Sequence, residues 1–261
     1  SQKSLNKYAG LTYFPFSIHT GDTLFLYLRF YNEDLGAGVI SEPTLQNSSY
    51  SLISQNSTTF MSVITAIAVL MSFISLIFFI SFKEKSYLFF ACYALVLGIH
   101  YITLQPNDVF ISWFIPEHPK LSYPLYDLLF SGTFIFFALF GKQYMDLSLL
   151  HPKLNKAFNK FIIISASFII IGFFGYLFYH KIIFRIGIII LITGLLLFCI
   201  RFAFIRTVYA RLYIAGALWL ITFTLLGMTN MVIPGVIPFN AWPVGQVGQL
   251  FIYTIALGYK L

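Results

Sequence analysis

Six residues with polar or ionisable side chains stand inside stretches that are otherwise apolar: His100, Asp127, Arg185, Asn230, Gln246 and Gln249. An imidazole beside a carboxylate could pass a proton, and a guanidinium could hold an anion, provided the fold brings them together. Gln246 and Gln249 are three residues apart, which on a helix puts them on one face. Burying such groups in hydrocarbon is costly, so they turn towards a cavity or a partner. Asp127 is the strongest single candidate, because a carboxylate there requires a cationic neighbour such as His100 or Arg185. For each residue alone, the plainer reading is an interhelical hydrogen bond or snorkelling to the interface, worth about 1 kcal/mol.

Catalytic signatures are missing. The sequence has no HExxH, no GxSxG and no paired carboxylates at a shared depth. His100 and Asp127 resemble one half of the zinc hydrolase site of the adiponectin-receptor and ceramidase-like families. The other half is an HxxxH pair in the seventh span, and here that span has no histidine. A retinal Schiff base needs a lysine midway along that span, whereas Lys260 stands at its end. No catalytic residue, metal ligand or cofactor is assigned, and the chain is expected not to be an enzyme. Cys92 and Cys199 both lie in apolar blocks and read as small packing residues.

The elements that must position the six residues follow from composition. Of 261 residues 59% are hydrophobic and only 10% charged, against about 25% charged in a soluble domain. The apolar residues come in long blocks, and each block of about 20 can cross some 30 Å of hydrocarbon. Seven spans are expected, at about Phe60–Phe82, Ser86–Leu104, Leu121–Met145, Phe161–Tyr179, Ile182–Phe204, Leu212–Ile233 and Pro243–Tyr259. The break His180-Lys181 makes the fourth and fifth an antiparallel hairpin. The seventh, with two glutamines and several glycines, is the most polar. Tyr93, Tyr101, Tyr123, Tyr126, Tyr179, Trp113 and Trp242 fall near span ends and read as an interfacial aromatic belt.

Residues 1–56 differ. Leu11–Ile18 and Thr23–Tyr31 read as a hairpin around His19-Thr20-Gly21-Asp22, with Gly36–Leu45 as an edge strand. The Ser- and Asn-rich stretch Gln46–Thr59 reads as a linker. The expected fold is therefore an all-α membrane protein, a seven-transmembrane-helix bundle over 57–261. A short extracellular N-terminal β segment, part of a β-sandwich, occupies 1–56.

Orientation comes from lysine and arginine in alternate loops. One set of loops, with the C-terminal end, holds ten: Lys83, Lys85, Lys142, Lys153, Lys156, Lys160, Arg201, Arg206, Arg211 and Lys260. The other holds three at most, namely Lys120, Lys181 and Arg185. The basic side is cytoplasmic, so the N-terminus lies outside and the C-terminus inside. The net charge of +7 is then mostly a cytoplasmic collar, and nucleic acid is excluded as a partner. All six polar residues fall towards the outer face, which turns them from scattered bonds into a candidate pocket.

In order and local pattern the chain resembles the bacterial seven-transmembrane receptors with diverse intracellular signalling modules. Tyr27-Leu28-Arg29 is similar to the motif ending that family's extracellular β-sandwich. Phe82–Leu95, "FKEKSYLFFACYAL", is similar to the charged turn and aromatic opening of its second span. The resemblance implies a sensor in the bacterial inner membrane for a periplasmic small molecule such as a carbohydrate. It also implies a cytoplasmic output module such as a histidine kinase or cyclic-nucleotide enzyme, and a homodimer. Most of the sandwich is expected before Ser1 and the output module after Leu261. A transporter or channel is the alternative, weakened by the lack of inverted repeats and of a Gly/Pro-broken pair of spans.

Overall fold

The computed structural model describes residues 48–103, 122–177, 181–232 and 241–260. The strands expected within 1–45 lie outside them. Eight helices are described: α1 (Ser48–Phe82), α2 (Lys85–Thr103), α3 (Ser122–Tyr144), the short α4 (Leu147–Leu150), α5 (Pro152–Leu177), α6 (Lys181–Ala203), α7 (Val208–Val232) and α8 (Ala241–Gly258). Helix is the form that satisfies every backbone N–H and C=O within one segment, as hydrocarbon demands. Six of these are long and apolar enough to cross a membrane. The seventh is α8, whose 18 residues rise about 27 Å alongside α2 and α7. The all-α seven-helix bundle is thus the observed architecture.

Helix boundaries follow chain chemistry more than hydropathy. The first helix starts at Ser48, twelve residues before its expected start, so the stretch read as a linker is helical from there. No glycine or proline interrupts 44–82, and extending an existing helix is far easier than nucleating one. Likewise α5 begins at Pro152, where a missing N–H costs nothing, and absorbs the basic residues Lys153–Lys160. Apolarity had marked only the part of it within hydrocarbon. Thr207 caps α7, its Oγ1 accepting the Ala210 N–H at 3.2 Å. The chain reverses after α1 at Lys83 (φ 57°) and after α3 at Asp146 (φ 49°), both in the left-handed region that side chains rarely adopt.

The helices contact in a ring: α1 on α2, α2 on α3, α3 on α5 and α6, α6 on α7, α7 on α8, and α8 back on α1 and α2. Two hairpins are locked by aromatic rings seated over glycines. A Cβ on Gly194 of α6 would lie 2.0 Å from the Phe161 ring of α5, and one on Gly172 of α5 would lie 2.5 Å from Phe184 Cα of α6. In the other hairpin, Gly216 of α7 receives the Tyr253 ring, while Gly245 and Gly248 of α8 receive Phe223 and Trp219. As numbers rise on one helix they fall on its partner, so both hairpins are antiparallel, and small residues let the helices close up. In the middle Phe137, Tyr213 and Tyr253 stack, with centroids 5.0 and 5.7 Å apart.

Candidate functional site

Helix α8 is the most richly bonded element. Three tyrosines of α2 reach it: Tyr87 donates to the Leu257 carbonyl at 3.0 Å, Tyr93 to Gln249 Oε1 at 2.6 Å, and Tyr101 to Gln246 Oε1. Tyr144 of α3 donates to the Ala256 carbonyl at 3.0 Å. Tyr253 of α8 itself donates to the Tyr213 carbonyl of α7 at 2.9 Å, and accepts from Gln249 Nε2 at 3.4 Å. Each hydroxyl is the polar tip of a buried ring, so one side chain provides packing and a directed bond together.

The helix also has two contrasting ends. Below its last turn, at the lysine-rich end of the bundle, Lys260 Nζ lies 2.9 Å from Glu84 Oε1 and 3.2 Å from Asp146 Oδ2. It donates as well to the Gln143 carbonyl at 3.2 Å. The Lys260 side chain is 11% exposed, those of Glu84 and Asp146 40% and 38%. Glu84 sits beside left-handed Lys83 in the α1–α2 turn, and Asp146 is itself the left-handed residue between α3 and α4. These reversals place the carboxylates where two turns converge on one ammonium.

At the far end the six candidates divide. His100 is buried against α3, its ring 4.7 Å from Tyr126 and 5.6 Å from Phe130, and among the described residues its Nδ1 has no hydrogen-bond partner. Asp127 is half-buried on α3 and Arg185 is exposed on α6. The two do not reach ion-pair distance; among the described residues the ion pairs are those of Lys260. Tyr126, rather than Asp127, meets the His100 ring. Gln246 and Gln249 do share a face, and both amides are engaged by tyrosines of α2. Asn230 belongs to α7, with its side chain outside the described residues. The structure therefore joins His100 to α3 and the glutamines to α2, while among the described residues Asp127 pairs with neither His100 nor Arg185. Among the described residues no group of three His, Cys, Asp or Glu gathers that could hold a metal.

Two readings change. Tyr93 and Tyr101 are buried and face α8, so they are not belt residues; the 3–4 spacing of Phe90, Tyr93, Leu97 and Tyr101 was the available signal of one inward face. Glu84 and Asp146 were overlooked as the acids inserted among the basic turns, and Lys260 had been counted only as topological charge. Cys92 and Cys199 are free and half-buried, as packing residues would be.

Seven long helices, the last of them polar and multiply tethered, define a multi-pass membrane domain. The chain belongs to the 7TM diverse intracellular signalling family, which it matches over residues 57–260. The turn and aromatic segment Phe82–Leu95 falls inside that match. No curated protein and no solved structure matches the chain. Family membership makes the protein a membrane sensor acting in signal transduction, with the bilayer and signalling components as its partners.

Proposed function

We propose that this chain is the membrane core of a receptor that takes a small-molecule ligand at the far end of the bundle and relays its presence along α8 to a cytoplasmic output module. The observation that carries the reading is the tethering of α8 from Gln246, beside Tyr101, down to Lys260. From Gln246 to Gly258 the helix rises about 18 Å, and bonds from α2, α3 and the turns hold it along that length. A ligand can shift the helix only if it binds one arrangement better than another. His100 suits that role because its buried Nδ1 finds no partner among the described residues, and Asp127 follows Tyr126, whose ring meets the imidazole. Arg185, Asn230, Gln246 and Gln249 complete the candidate ligand set, and on this reading an extracellular β segment ahead of α1 would stand beside it.

On this reading the lysine-rich end is cytoplasmic, in the inner membrane of a bacterium. The ligand is a periplasmic small molecule such as a carbohydrate. The output module is a histidine kinase or cyclic-nucleotide enzyme acting as a dimer, and the bundle performs no chemistry of its own. The purified chain in nanodiscs, screened by thermal shift against sugars and other small metabolites, should yield a ligand whose stabilisation disappears in Asp127→Ala. Binding retained in that variant removes the pocket from this end, and flux of the hit across proteoliposomes would replace the receptor with a transporter.

A further inference from the structure

We propose that Lys260 is a releasable latch that holds the exit of α8 between the α1–α2 and α3–α4 turns. The use made of its release rests on the receptor reading above; the latch itself rests on geometry.

Topology alone requires only that lysines and arginines collect at this end, and among the described residues the ion pairs are those of Lys260. Lys83, Lys85, Lys153, Lys156, Lys160, Arg201, Arg206 and Arg211 are all exposed. Lys260 is different. Its side chain is largely enclosed, and its ammonium donates to two carboxylates and a carbonyl, each within 3.3 Å. Glu84 has Lys83 and Lys85 as sequence neighbours, yet it pairs with a lysine 176 positions away. Both acids come from turns reversed by a left-handed residue that is not glycine, a conformation side chains disfavour.

The last turn of α8 is held in a second way. The last carbonyls of a helix lack i+4 partners; here Ala256 accepts the Tyr144 hydroxyl, and Leu257 accepts the Tyr87 hydroxyl together with the Lys260 N–H at 3.0 Å. Lysine latch and tyrosine caps thus grip the same turn from α2, α3 and both adjoining turns. The cation sits at the water-facing end, where neutralising or displacing one partner opens the contact without unpacking the aromatic core. At the other end of the same helix Tyr101 grips Gln246. A helix held at both ends should report at one end what happens at the other, and such coupling is reciprocal.

Hydrogen exchange of the whole chain in nanodiscs tests this without any ligand. Lys260→Met should speed exchange of the amides of residues 256–260 about tenfold, leaving those of α5 and α6 as parental. The double change Glu84→Gln with Asp146→Asn should do the same, and the triple combination should add nothing more, because all three residues serve one contact. Exchange unchanged in Lys260→Met, or a triple variant showing the product of two independent effects, would sink the latch. If Lys260→Met does not fold, the acid pair carries the same test. Gln246→Leu should accelerate the same terminal amides about fivefold; no change there would mean the latch is not coupled to the far end. None of these results touches the Asp127→Ala binding experiment, so latch and pocket stand or fall separately.

Discussion

At the lower end of α8, Tyr87, Tyr144 and Lys260 all find acceptors in the bundle, at distances of 2.9 to 3.3 Å. At the upper end of the bundle the neighbouring polar groups are far less settled. Among the described residues His100 carries an unpaired nitrogen inside an aromatic wall, and Asp127 makes no ion pair. Two other buried atoms without partners, Asn155 Oδ1 and Ser165 Oγ, lie on α5. The contrast around α8 separates two tasks. Satisfied polar groups fix a geometry, whereas unsatisfied ones leave free energy for something else to gain.

Glycine substitutions give the widest expected gap between the two halves. A Cβ on Gly216 would stand 2.4 Å from the Tyr253 ring, in the well-bonded half. Gly216→Leu should therefore cost about 3 kcal/mol or more and leave little folded protein by size exclusion. A Cβ on Gly132 of α3 meets only Val96 Cγ1 at 3.4 Å, so Gly132→Ala should keep the parental melting temperature or raise it slightly. Equal damage from both would erase the distinction.

The next contrast is smaller and more telling. Gln249→Leu strands the Tyr93 hydroxyl and removes the donor to Tyr253, and should cost about 1–2 kcal/mol in denaturant or thermal unfolding. His100→Phe removes a group that has an unpaired buried atom and keeps the ring contacts with Tyr126, so it should be neutral or stabilising. A loss at His100 as large as that at Gln249 would show that its imidazole is structurally committed. The smallest effect belongs to Tyr144→Phe, which deletes one hydroxyl from a carbonyl. About 0.6 kcal/mol is expected, the typical worth of one such bond between membrane helices.

Much of the bundle was legible because hydrocarbon leaves the backbone few choices. Block length gave the helices, and the two-residue break His180-Lys181 gave the α5–α6 hairpin, now seen in Phe161 and Phe168 seated over Gly194 and Gly187. Starts were less legible, since Pro152 and Ser48 begin helices through local chemistry and propagation outside the apolar block. The tyrosines were misread because an amphipathic ring suits both an interface and a buried bond to a carbonyl, and sequence alone does not say which neighbour waits opposite. Lys260 with Glu84 and Asp146 was hidden for another reason. Its members are separated by 62 to 176 positions, and only the return of α8 between the two turns brings them together.

The length of α1 has a mechanical consequence. Its 35 residues extend about 52 Å, well beyond the roughly 30 Å of hydrocarbon. Ser48–Thr59 alone contribute up to about 18 Å of mast above the far face. The helix thus continues as a strut past the apolar block, where a slack tether was expected. Torque applied at the top of such a mast has no flexible joint in which to dissipate before it reaches α2, where Ser72 is bonded to the Ala91 carbonyl at 2.8 Å.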